Sequence, residues 1–347
     1  MKTRTLLVDG NYLLKKSYHG AKNVYTSQFG HIGGLYSFLT TIRGLIPKYS
    51  INKVVVCWDG ENGGVYRYRI DREYKSNRSS KSWYTKISFT QEELEREKEK
   101  KQSILKQRKR TQHYCEDLFF RQIEVNDIEG DDIIASYCLR YNNKEELYIY
   151  SNDRDFAQLL DLNVSIIFPN ISTPVTKSNF YFEFGYHYSN VMTIKIICGD
   201  PSDNIKGVGG IQKDTLFKHF PMLKTKKLMV RDVCRMAKTL NEERVKNKQK
   251  PLLCLNNLIN GGNILRKNYS LVNLREPILN DEAEEEFRQL EMPLSPEDRG
   301  IEALFNMMIE DGFLMVYGSN YTDYVAPFYP VIENEKRIYN EYIKKNG

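Results

Sequence analysis

With 347 residues, the chain is long enough to bury a sizeable core without disulfide or metal staples. Its six cysteines, Cys57, Cys115, Cys138, Cys198, Cys234 and Cys254, are scattered with no CxxC pair, which argues against a zinc site or a disulfide framework and fits a reducing cytoplasm. A net charge of +6 alongside 45 acidic residues describes a mixed surface; nowhere do about eighteen apolar residues run together, so neither a signal peptide nor a membrane span is expected.

In chain order, the first apolar run is LLVD, Leu6 to Asp9, and the second is VVVCWDG, Val54 to Gly60. Both have the length and β-branched content of buried strands, and each runs into an aspartate. Residues Tyr66 to Arg110 then change character: rich in Lys and Arg, with Tyr68, Tyr74, Trp83 and Tyr84, they pass into QEELEREKEKKQSILKQRKR. That stretch lacks Pro and Gly and predicts a long solvent-facing helix able to bridge one edge of the sheet. A further strand is expected at Phe119 to Val125, a helix from Glu129 to about Tyr141, and a strand in LYIYSNDRD, Leu147 to Asp155. Between Val191 and Lys218 the pattern reads as helix, loop, helix around GDPSDNIKGVGGIQ, with Asp203 as an N-cap and glycines permitting a tight turn. Farther on, LNEERVKNKQKP reads as a linker or helix end, and GIEALFNMMIEDGFL as an amphipathic helix. Strands separated by crossover-length segments give an α/β domain with a mainly parallel sheet, in which ligands collect at the carboxyl ends of the strands.

Acids gather at those ends. Asp9 and Asp59 follow strands; Glu129, Asp131 and Asp132 begin a helix; Asp153 and Asp155 follow a strand; Asp200 and Asp203 lie in the glycine-rich loop. Glu129 and Asp132, three apart, share a helix face, with Asp131 turned partly around it. Taken singly, each acid has a plain alternative as a turn or capping residue. Together without a counter-cation they would repel one another. Oxygen-only ligands and the scarcity of histidine favour Mg²⁺ or Mn²⁺ over zinc, and a pair of such ions about 3.5 to 4 Å apart suits phosphate-ester hydrolysis.

The segments LLVDGNYL, VVCWDG, DREYKSNR, IEGDDIIA, YSNDRDFAQLL and GDPSDNIKGVGG, in that order from Leu6 to Gly210, resemble the structure-specific 5′ nuclease family: flap endonucleases, polymerase-associated 5′-3′ exonucleases and, closest in character, bacteriophage exonucleases of the ribonuclease H type. The resemblance covers roughly residues 4 to 220. It implies a PIN-like core over 1–190 with an arch insertion at 66–118, a helix-loop-helix duplex-binding region at 191–250, and a mainly helical region of open role at 251–347. Asp9, Asp59, Glu129 and Asp131 would form one metal site with Asp132 near or between sites, and Asp153, Asp155, Asp200 and Asp203 the second, for two Mg²⁺ with Mn²⁺ as substitute. Tyr74, Lys75 and Arg78 would stand at the base of the arch, Lys75 and Arg78 on the scissile phosphate and Tyr74 stacked on a terminal base, with Arg67, Arg69 and Arg72 as weaker members of the same phosphate channel. Gly207, Gly209 and Gly210 would bring amides to duplex phosphates, Lys206 and Lys213 would add charge, and carbonyls of the 205–211 loop would hold K⁺.

Three motifs depart from the family pattern: WDG in place of Phe before the aspartate, EGDD for EADD, and GVGGIQ for GVPGIG. The first two keep every carboxylate; the third bears on the duplex loop. The implied activity is Mg²⁺-dependent hydrolysis at the 5′ end or flap junction of DNA and RNA-DNA duplexes, in primer removal and flap processing. The expected enzyme is a cytoplasmic monomer, in the host cytoplasm if viral, steered by a single-strand-binding protein or sliding clamp. Two other classes compete: a non-catalytic DNA-binding protein on the same scaffold, which would have lost acids, and a small-substrate phosphatase, which would need neither arch nor duplex loop.

Overall fold

Thr3–Asp9 (β1) lies at the centre of the sheet because Leu6, Leu7 and Val8 are all fully buried, Leu7 against one layer and Leu6 and Val8 against the other. The computed structural model describes residues 2–77, 90–297, 299–318 and 320–346. After β1 the chain runs through Gly10–Gly20 (α1) and Gly33–Tyr49 (α2) into Lys53–Asp59 (β2), then Val65–Ile70 (α3), Gln91–Asp117 (α4), Arg121–Val125 (β3), Gly130–Tyr141 (α5), Glu145–Tyr150 (β4) and Val164–Ile167 (β5). The five strands form one sheet in the order β3-β2-β1-β4-β5, every neighbour parallel. Each strand expected from the sequence is present. β5 was not anticipated, since only Val164, Ile166 and Ile167 mark it. Register pairs Asp9 with Cys57 and Val8 with Tyr150, so Asp9, Asp59 and the turn after Tyr150 emerge along the same carboxyl edge.

Two layers cover the sheet. On one side Leu7, Val55, Cys57 and Ile149 pack against Ile133, Ile134 and Tyr137 of α5, and this core continues into Val191–Cys198 (α6), Lys213–His219 (α7), Val230–Lys246 (α8), Leu253–Asn260 (α9), Gly262–Val272 (α10) and Asp281–Glu291 (α11). On the other side Leu6, Val8, Val56 and Trp58 pack against α1 and α2, then against Met308 of Ile301–Glu310 (α12) and Val331 and Ile332 of Tyr329–Asn346 (α13). The stretch after residue 251 therefore joins both layers, and the buried pair Arg121–Glu335, 2.6 Å apart, fastens α13 to the edge strand β3.

The charged run forms α4, opened by a capping box in which Thr90 accepts from the Glu93 amide and Glu93 answers the Thr90 amide. The helix-loop-helix is also present as α6 and α7, with one correction. Asp203 caps no helix: Asp200 caps the short turn Pro201–Asp203 by accepting from the Ser202 amide, and α7 starts after Gln212. LNEERVK belongs to α8 and reaches its end, while GIEALFNMMIE becomes α12. Among the described residues, no helix is long and apolar enough to cross a membrane.

Candidate active site

At the carboxyl edge, Asp9 ends β1 and caps α1. One carboxylate oxygen accepts from the Tyr12 amide at 2.9 Å and the other from Ser151 Oγ at 3.0 Å. Asp59 ends β2 and accepts from the Gly130 amide at 2.8 Å and from the Asn11 amide group. Asp153 follows β4 and accepts from the Asp155 amide at 2.8 Å. These three, with Asp131 and Asp203, line a cleft of about 370 Å³, together with Asn11, Tyr12, Lys15, Lys75 and Asn152.

The remaining acids are held elsewhere. Glu129 accepts from Arg67 at 2.7 Å, from the Tyr74 hydroxyl at 3.0 Å, and from Lys75. Asp132 faces away from the cleft: both its oxygens accept from Arg67, and one also accepts from the Ile278 amide at 3.0 Å. Glu129 and Asp132 do share a side at the start of α5, but that side meets α3. The position of Asp132 near or between metal sites is thus corrected. So is Arg67 as a member of the phosphate channel: only 4% exposed, it is the buried counter-ion of two carboxylates. Asp155 and Asp200 are bridged by Lys195, which pairs with Asp155 and lies 2.6 Å from Asp200. Lys195 was missed in the sequence, although a lone lysine inside the apolar run VMTIKIIC is itself a sign of a buried partner.

Burial, then the charges of Asp59 and Asp153, pushes the Asp9 carboxyl up to about 7. Asp131 is driven well above the carboxylate range by burial and by Asp153 and Asp9. Asp155 also rises to about 7, through burial and Asp153 against the pull of Lys195. Glu129 goes the other way: burial opposes its charge, but Lys75 and Arg67 prevail and lower it. A buried oxygen of Asp155, Oδ1, has no hydrogen-bond partner. Among the described residues, no three His, Cys, Asp or Glu side chains are already gathered as a closed ligand set. Oxygen-only donors, an unpartnered buried acceptor and acids raised by burial and by one another's charge nonetheless fit a hard divalent cation, which offsets both. Asp9, Asp59, Asp131 and Asp153 are the residues that would hold one, with Asp155, Asp200 and Asp203 adjoining.

The lip of the cleft comes from two distant segments tied together. Lys75, in left-handed backbone at φ 52°, donates its amide to the Asp203 carbonyl at 2.8 Å. Asn77 donates to the Pro201 carbonyl at 2.9 Å, and Asn204 to the Glu73 carbonyl at 2.8 Å. Tyr74 is 8% exposed with its hydroxyl on Glu129, so its ring is no platform for a terminal base, a further correction. Arg69 and Arg72 are exposed, Arg69 lying 5.2 Å over the Tyr66 ring. Arg78, like Trp83 and Tyr84, lies outside the described residues.

In the duplex loop the glycines differ. A Cβ on Gly207 would sit 2.2 Å from the Cys198 backbone, so this glycine exists for close packing of the loop's two limbs; Gly209 and Gly210 are exposed, Gly210 at φ 81°. Lys206 is exposed and pairs with Glu73 at 2.6 Å, and the Lys213 ammonium lies 4.2 Å over the Tyr186 ring. The Lys206 and Gly209 carbonyls accept from the Asn268 and Asn257 amide groups.

The family model for the 5′-3′ exonuclease N-terminal resolvase-like domain matches residues 4–185. A 5′-3′ exonuclease of Mycoplasmopsis pulmonis is 30% identical over 210 residues, which cover 59% of this chain and 62% of that protein. The chain therefore spans somewhat less than two thirds of this relative. Among solved structures, T5 5′-exonuclease with bound zinc ions superposes with a TM-score of 0.61 at 20% identity, covering 90% of this chain and 99% of the other. Bacteriophage T5 flap endonuclease in complex with DNA and metal ions gives a TM-score of 0.61 at 20% identity, covering 91% and 100%. Both share this fold.

Proposed function

This chain belongs to the 5′-3′ exonuclease family, and from that premise we propose that it is a 5′ nuclease, hydrolysing phosphodiester bonds at or near the 5′ end of a nucleic-acid strand. The observation that carries the reading is the acid cleft at the carboxyl edge of the parallel sheet, with Lys75 on its lip. The names of the relative and of the solved neighbours support the same reading, as do the DNA and metal ions of the T5 complex.

In this proposal Asp9, Asp59, Asp131 and Asp153 hold divalent cation, with Asp155, Asp200 and Asp203 serving a second ion. When bound, Mg²⁺ or Mn²⁺ supplies an activated water and offsets charge on the leaving oxygen. The chain's own groups do the positioning. Lys75, now bound to Glu129, stands where an incoming phosphate offers its ammonium a second anionic partner. Tyr12, its hydroxyl raised to about 12 by burial and by Tyr150 and Asp9, stays protonated as a donor on the cleft wall. Gly209 and Gly210 present exposed backbone for duplex phosphates. Unused lone pairs of the 205–211 carbonyls would take K⁺.

The finer assignment extends this reading. The substrates are DNA with a 5′ flap, nick or end and RNA-DNA hybrids; the role is primer removal and flap processing during replication. The enzyme acts as a monomer in the cytoplasm, a host's if the protein is viral, with a single-strand-binding protein or sliding clamp as partner. A Mg²⁺-dependent time course on matched 5′-flap, nicked-duplex and RNA-primed DNA, labelled at the downstream 3′ end, tests it. A dominant cut at the flap junction establishes structure-directed endonuclease action, and a ladder from the 5′ terminus establishes exonucleolytic removal. No metal-dependent product on any substrate would leave a non-catalytic DNA-binding protein as the better reading.

A further inference from the structure

We propose that Arg108 is a positioning residue that couples the seating of α4 to the placement of Asp59. The proposal rests on the nuclease reading only in taking Asp59 as a ligand of the divalent cation. From Gln91 to Lys106 no side chain of α4 is buried, a length of about 24 Å at the helical rise. The first buried side chain is Gln107, whose carbonyl oxygen accepts from the Leu35 amide at 3.1 Å while its amide group lies 3.0 Å from a His31 ring nitrogen. At this landing point Arg108 turns inward. Its Nη2 donates to the main-chain carbonyl of Asp59 at 3.0 Å and pairs with Glu124 at 3.0 Å, and its guanidinium lies 5.1 Å over the Trp58 ring.

Trp58 is the reason this contact matters. Fully buried, it stacks on Phe38 and donates its indole N–H to Gln122 at 3.1 Å. A Cβ on Gly10 would lie 2.6 Å from its ring, so the indole fills the space beside the residue that follows Asp9. Arg108 thus grips the backbone of Asp59 directly and the Asp9 end through the indole it covers. The half of α4 without buried side chains thus ends at a guanidinium bonded to the acid wall. Groups that orient metal ligands without touching the metal commonly set affinity by tenfold or more.

The test uses the full chain in a Trp83→Phe background, where Trp58 is the sole tryptophan, and follows Trp58 emission during titration with Mg²⁺ alone, beside duplex affinity measured in Ca²⁺. Arg108→Met is expected to raise the half-saturating Mg²⁺ concentration about tenfold with duplex affinity changed less than about twofold, whereas Glu124→Gln, which removes only the surface partner, keeps the parent's midpoint. If Arg108→Met loses the parent's circular dichroism, Arg108→Gln, whose shorter polar chain suits this half-buried site, takes its place with the same expected shift. A parent-like midpoint in the folded Arg108 variant, or an equal shift in Glu124→Gln, overturns the proposal while flap cleavage by the parent keeps the nuclease reading. A parent that neither responds to Mg²⁺ nor cleaves any substrate overturns both.

Discussion

Arg67→Met separates a structural arginine from a phosphate-binding one. The guanidinium donates to both oxygens of Asp132, to Glu129 at 2.7 Å and to the Leu271 carbonyl at 2.8 Å, with Glu129 and Asp132 themselves buried. Burial alone would lower the arginine's affinity for its proton, but the Asp132 hydrogen bonds and the two carboxylate charges hold it above its ordinary value. Methionine keeps the stem and deletes the charge, leaving Asp132 the Ile278 amide as its donor among the described residues. Breaking a buried ion pair from one side costs about 3 to 5 kcal/mol. At about 1.4 °C per kcal/mol for a chain of this size, the melting temperature should fall by about 4 to 7 °C. Thermal unfolding by circular dichroism reads this directly. The double variant Arg67→Met/Asp132→Leu should recover part of the loss, because no orphaned Asp132 charge remains. A variant that melts within about 1 °C of the parent but binds duplex more weakly would refute the buried-keystone account and return Arg67 to the phosphate channel.

The acid cluster carries a pH signature. Asp9 and Asp155, raised to about 7 from an unfolded value near 3.8, bind protons on folding, so their contribution to stability is present at low pH and is lost as pH climbs through 7. Millimolar Mg²⁺ should therefore raise the melting temperature more at pH 8 than at pH 5, and equal shifts would count against cation binding by these groups. Lys75→Ala should slow single-turnover cleavage at saturating DNA by about a hundredfold, as loss of a transition-state donor does; an unchanged rate removes Lys75 from that role. Gly207→Ala, whose methyl would meet the Cys198 backbone at 2.2 Å, should lower the melting temperature, whereas Gly209→Ala, whose methyl would meet Asn257 at 3.4 Å, should leave it nearly unchanged; thermal unfolding distinguishes them, and equal behaviour would show that close packing of the limbs is not what Gly207 provides.

Much of the architecture was legible because the signals are local. Leu6 to Asp9 and Val54 to Asp59 read as buried strands from three and five consecutive apolar residues, and their terminal aspartates do reach one edge because both strands are parallel. The long charged helix was legible from composition, and its true end at Asp117 was not, because its last turns are held by tertiary partners such as Arg110 with Asp311 at 2.7 Å. The same holds for α13, anchored through Glu335 to Arg121 from more than two hundred positions away.

The amino-acid order by itself determined which residue types stand at the strand ends, where the glycines allow the loop to close, and that acid must collect beside base. Which acids face the cleft was decided in three dimensions. Asp131 and Asp132 are adjacent in the chain, yet one lines the cavity and the other is clasped by Arg67, because successive residues on a helix point about 100° apart and the tertiary placement of Arg67 beside α5 decides which acid it meets. Lys195 likewise gains its meaning from Asp155 and Asp200, separated from it by forty and five positions and brought within reach by the fold. Charges in sequence are a list; desolvation makes each one depend on whichever partner the tertiary structure places against it.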